Sequence, residues 1–150
     1  MSRSGYSEDF CDESFDYIRY RGQVESAIRG KRGQQFFRDL VAALDAMPEK
    51  KLSHGFLVTP QGDCASACVG RYRGLKLITE FQVVEGQRLH AEPEEVAKML
   101  NIAEQLARET MWMNDEFGDD EKPERRWSRI RSWAAKQIRV RPEELLDATT

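Results

Sequence analysis

His54, Cys64 and Cys68 are the residues of this 150-residue chain whose types could supply a nucleophile and its base. A cysteine attacks as its thiolate, and a neighbouring imidazole can take the proton. No flanking motif marks such a pair, and the stretch that holds all three predicts a hairpin in which an approach by chance is common. His90 falls in an expected loop with no evident partner. The chain has no Asp-x-Asp-x-Asp-Gly loop, no His-Glu-x-x-His motif and no Gly-x-x-x-x-Gly-Lys-Ser/Thr phosphate loop. These signs lean against an enzyme, and a small Cys/His-dependent enzyme is kept as an alternative. Read as strand residues, Cys64 and Cys68 stand about 13 Å apart, too far for a disulfide or a shared metal. With two histidines in the chain, no metal and no cofactor is expected. The odd count of three cysteines fits a reducing compartment.

The other chemistry on offer is ionic recognition. Residues 122–141 carry Lys122, Arg125, Arg126, Arg129, Arg131, Lys136, Arg139 and Arg141 against Glu124. Asp115, Glu116, Asp119, Asp120 and Glu121 come just before them. Near the start, Glu8, Asp9, Asp12, Glu13 and Asp16 precede Arg19, Arg21, Arg29, Lys31, Arg32 and Arg38. Segregated charge favours charged partners, whereas interspersed charge mainly keeps a surface wet. On a helical wheel, Trp127, Ile130, Ala134 and Ile138 share one side. Arg125, Arg129 and Lys136 share the other, with Ser132 between them and Trp133 and Arg126 on the flank. This pattern points to a docked helix that presents Arg125, Arg129, Trp133 and Lys136 to a partner, because Arg and Trp dominate many interfaces. The competing reading is a solvated face whose arginines pair with the nearby acids. Lys31 and Arg32 rank next: they sit in the connector Arg29-Gly30-Lys31-Arg32-Gly33, where a starting helix could hold an anion. Plain loop geometry would also call for those two glycines. Asn114 and Asp115 are either polar site groups or ordinary helix-end residues that bond to nearby backbone.

The elements that must position these groups follow from periodicity. Tyr17, Tyr20, Val24, Ala27 and Ile28 predict a helix over 14–29, capped by Ser14 and stopped at Gly30. Phe36, Phe37, Leu40, Ala43, Leu44 and Met47 predict a second over 33–47, ended by Pro48. The short link makes the two a hairpin. Residues 51–59 and 64–73 predict two strands about the turn 60–63, and 79–84 a third. Pro93 starts a helix to Leu100, which Asn101 can break in the left-handed conformation. Ile102, Leu106, Thr110 and Met113 continue an apolar stripe. Residues 114–120 read as an acidic loop, and Pro123 opens a last helix to about Ile138. The expected fold is α+β: an N-terminal helix hairpin, a small antiparallel sheet of two or three strands, and two or three C-terminal helices. One domain over 1–150 is expected, with 1–13 and 142–150 loosely held.

Composition sets the class. A hydrophobic content of 40% with 33% charge is ordinary for a folded domain. The net charge of −3 confines any polyanion contact to a local patch. No apolar run approaches the roughly 18 residues of a membrane span, and the acidic start lacks the apolar stretch of a signal peptide. A cytoplasmic protein without a membrane partner is expected.

Several segments together carry a resemblance: Met1-Ser-Arg-Ser-Gly-Tyr6, Ala27-Ile-Arg-Gly-Lys-Arg-Gly-Gln34, Ala42-Ala-Leu-Asp-Ala-Met-Pro-Glu-Lys50, Gly62-Asp-Cys64, Asn114-Asp-Glu116 and Arg126-Trp127. In this order they resemble an uncharacterised family of small hypothetical proteins from bacteriophages and prophages of Gram-negative bacteria. The chain departs from that pattern in residues 75–90, which are longer than the usual connection, and at Asn101, where a glycine is typical. The resemblance implies no activity, cofactor or catalytic residue. It implies an accessory protein that binds a host or rival macromolecule, with anti-CRISPR and other anti-defence inhibitors as one class, an analogy independent of fold. The partner expected first is a host or defence-system protein complex. A nucleic-acid-binding or regulatory protein is the alternative.

Overall fold

Apolar residues at helical spacing build the first two elements, α1 (Ser14–Arg29) and α2 (Lys31–Ala46). The computed structural model describes residues 14–77, 83–84, 87–88, 92–141 and 143–144. Most of the ends expected to be loosely held fall outside those residues. Helix α1 buries Tyr20, Val24 and Ile28, and α2 buries Phe36, Phe37, Leu40, Ala43 and Leu44. The second helix starts at Lys31 and not at Gly33. Gly33 is needed inside it because a Cβ there would lie 1.9 Å from the carbonyl oxygen of Ala27.

The hairpin that follows is shorter than its expected strands. Only β1 (Val58–Thr59) and β2 (Gly62–Asp63) pair, antiparallel, with Val58 opposite Asp63. The strand expected over 64–73 is instead helix α3 (Ala65–Tyr72). Ala65 to Gly70 are all buried, so neither a period of two nor one of 3.6 showed in their polarity. Small side chains allow a helix to sit close to its neighbours, and the buried Asn114 amide accepts the Ala65 N–H at 3.0 Å, satisfying a donor at its start. The third strand, expected over 79–84, is seen at its end: β3 (Val83–Val84) pairs antiparallel with β4 (Gln87–Arg88). Residues 79–82 lie outside the described set.

Helix α4 (Pro93–Leu100) ends at Asn101, which takes the left-handed conformation at φ 54° and turns the chain into α5 (Glu104–Asp115). A 3-10 turn over Gly118–Asp120 leads to α6 (Pro123–Gln137). The fold is α+β and mostly helical. One core joins α1 and α2 to α3, α4, α5 and α6 through Phe36, Leu44, Val69, Leu100, Leu106, Met111 and Ile130. No described helix is long and apolar enough to cross a membrane.

Helix directions matter for the surface. Helices α2 and α6 run antiparallel: Trp127 Nε1 donates to the Leu44 carbonyl at one end, and Gln34 Nε2 to the Gln137 carbonyl at the other. Helices α1 and α5 are also antiparallel, joined by Arg21 to Glu109 and by Gln105 to Gln23. The end of α1 and the starts of α2 and α5 therefore meet the end of α6 at one pole of the molecule.

Candidate functional site

Five arginines and lysines along α6 look alike in sequence and divide sharply in space. Arg126 is 1% exposed. Its Nη1 donates to the Leu52 carbonyl at 2.9 Å, and its Nη2 to those of Gly118 at 2.6 Å and Glu121 at 3.2 Å. Its Nε lies 3.4 Å from a carboxylate oxygen of Glu121, itself buried. Burial holds this guanidinium below the ordinary arginine range, against the pull of Glu121. Arg129 grips the same carboxylate with two hydrogen bonds of 2.7 and 2.8 Å, and its plane covers the Phe117 ring at 4.9 Å. The Arg129 hydrogen bonds hold the Glu121 carboxyl below its usual range, with burial opposing them. Arg131 makes a two-pronged pair with Asp45 on α2.

These contacts form a junction. Asn114 extends it: its amide nitrogen donates to the Ser53 carbonyl at 2.9 Å, while Asp115 accepts the Gly55 N–H at 3.0 Å. Both residues thus tie the 52–57 segment to α5. The helical wheel set Arg126 on the flank; the structure buries it, in the i, i+4, i+8 row of Ile130 and Ala134.

The other expected contacts lie as follows. Arg125 and Lys136 are exposed and, among the described residues, have no ion pair; along α6 they stand about 16 Å apart. Trp133 is half-buried, edge-on to Phe37 with ring centres 5.2 Å apart. Its ring is part of the α2–α6 contact. Lys31 and Arg32 are exposed, with Arg32 Nη1 donating to the Asn101 side chain at 3.2 Å.

The structure brings Lys31, Arg32 and Lys136 to the same pole and leaves Arg125 and Arg129 at the other. Gln34 makes this happen. Its amide nitrogen donates to the carbonyls of Ile28 at 2.9 Å and Gln137 at 2.8 Å, and its oxygen accepts the Arg139 N–H at 2.7 Å. Arg38 donates to the Arg139 carbonyl and pairs with Glu144. The carbonyls at the ends of α1 and α6 are therefore occupied. What faces solvent at this pole is Arg29, Lys31, Arg32, Lys136 and Arg139, all exposed and, among the described residues, free of ion pairs. Of the acids there, Glu104 pairs with Arg108 and Glu144 with Arg38, while Glu143 is exposed. Beside Lys31 and Arg32 opens a cleft of about 500 Å³, lined also by Gln23, Ser26, Gly30 and Gln105. The acids Asp16, Glu116, Asp119, Asp120 and Glu124 sit at the far pole, a helix length of about 24 Å away.

The thiols are arranged differently from the sequence expectation. As Cys64 precedes α3 and Cys68 lies one turn on, they are helical neighbours, and the 13 Å strand spacing does not apply. Both are buried and outside any disulfide, and burial pushes the Cys68 thiol well above its ordinary range. The His54 ring turns the other way, with Nε2 at 2.8 Å from the exposed Asp119 carboxylate. No group of three or more metal-ligating side chains occurs among the described residues.

No family model, curated protein or solved structure matches the chain.

Proposed function

We propose that this is a non-enzymatic binding protein that docks through its cationic pole onto a macromolecular partner of opposite charge. Its setting, on the resemblance set out above, is that of a phage- or prophage-encoded accessory protein in the host cytoplasm. Its target there is a host or defence-system complex, as for an anti-CRISPR or other anti-defence inhibitor. The observation that carries the reading is the gathering of Arg29, Lys31, Arg32, Lys136 and Arg139 at one pole, where among the described residues none of them is in an ion pair. Lys31, Arg32 and Lys136 are the contacts. Arg129 and Trp133 act by fixing α6, and Arg125 stands apart from the surface. A Cys/His enzyme draws less support, because a buried thiol held as the neutral form is a poor nucleophile.

The test is capture from infected-host lysate by the wild type, by a Lys31→Glu/Arg32→Glu/Lys136→Glu variant and by Arg125→Glu. The triple variant should lose the partner and the Arg125 variant should keep it. A folded triple variant that still captures the partner refutes the reading.

A further inference from the structure

We infer that the surface this pole fits is the phosphodiester backbone of nucleic acid, bound without regard to base sequence; the inference rests on the cationic pole being the docking surface. Two observations favour it over an acidic protein face. First, the pole has no aromatic anchor among the described residues. Protein interfaces concentrate their energy in buried Trp and Tyr at the centre of the patch. Here Trp133 is packed on Phe37. The exposed rings lie elsewhere: Tyr17 near the start of α1, Tyr72 beside Ala43 and Met47, and Phe117 under Arg129. Val140 is the exposed apolar side chain found at this end. Second, Lys31 and Arg32 are interleaved with neutral donors, Gln23, Ser26 and Gln105, around an open cleft. Arg, Lys, Ser and Gln are the side chains that hold phosphate oxygens. The net charge of −3 does not bar a local polyanion contact. The acidic pole is about 24 Å off, some three times the roughly 8 Å over which salt screens exposed charge.

The chemistry predicts its own magnitude. Binding releases counterions, so log K falls with log salt at a slope of about −0.9 per phosphate neutralised, up to about −4.5 if the five cations Arg29, Lys31, Arg32, Lys136 and Arg139 all engage. The experiment is fluorescence anisotropy with a labelled mixed-sequence DNA duplex between about 50 and 200 mM salt. Wild type, Lys31→Ala, Lys136→Ala and Arg125→Ala are compared, each checked for an unchanged melting curve. Lys31→Ala and Lys136→Ala should each flatten the slope by about one, Arg125→Ala should leave it unchanged, and a scrambled duplex should bind equally. No binding at low salt, or a slope indifferent to Lys31 and Lys136, overturns the inference. If the duplex is ignored while the triple Glu variant still loses its captured partner, the docking surface stands and the occupant is an acidic protein face. If neither result is obtained, both readings fall.

Discussion

The two ends of α6 carry the same kind of side chain for opposite ends. Near its start, Arg126 and Arg129 close on Glu121 and on three backbone carbonyls, and their charge is spent inside the protein. Near its finish, Lys136 and Arg139 have no ion pair among the described residues, while Gln34 and Arg38 take the Gln137 and Arg139 carbonyls and Arg38 holds Glu144. A cation's role is thus decided by which acceptors the fold leaves within its reach, and local charge density does not reveal it. A buried, multiply bonded guanidinium holds elements together; a solvated ammonium with no partner is available to another molecule.

Breaking the junction should have the largest effect. Arg126→Met leaves three carbonyls without their donor and Glu121 with one cation fewer, and should cost about 3–5 kcal/mol in denaturant unfolding. A loss under about 1 kcal/mol would mean the junction is not held by this residue. Glu121→Gln should cost about 3 kcal/mol at neutral pH and also change the acid response. The folded carboxyl titrates below its unfolded value, so its contribution is complete above an unfolded pKa of about 4.3 and is lost as the pH falls through the lower, folded one. Wild-type stability should therefore decline in that acid window, and the variant's curve should be flatter there. An equally steep decline would place the acid-sensitive groups elsewhere.

Asn114→Ala strips the Ala65 N–H and the Ser53 carbonyl of their buried partner, and should cost about 1–3 kcal/mol. A melt that does not move would show that the start of α3 is satisfied in another way. The glycines sharpen the comparison between packed and open helix faces. Gly22→Ala meets nothing within 4 Å and should gain about 1 kcal/mol, whereas Gly33→Ala should destabilise by driving α2 off Ala27. Smallest of all, Lys31→Ala and Lys136→Ala should leave stability within about 0.5 kcal/mol of wild type, since these side chains hold nothing in place.

Much of the scaffold was legible because its helices alternate. Ser14–Arg29 and Pro93–Leu100 begin and end where apolar period, Pro93 and Asn101 say they should. Helix α3 was hidden because a segment buried on every side shows no contrast between faces, and because its starting donor is met by Asn114, far away in sequence. The division of the cations was half visible. Arg126 sat on the buried row of its own helix, a local signal. That Lys31 and Lys136 share a pole depends on the bridges of Gln34 to Gln137 and Arg139, which no local pattern encodes.

The measurement that bears most directly on the cationic pole is a map of backbone amide shifts in an NMR titration with a short mixed-sequence duplex at low salt. The account predicts perturbations confined to residues 29–35, 101–105 and 136–141. Shifts centred on 116–129, or none at any duplex concentration, would contradict it.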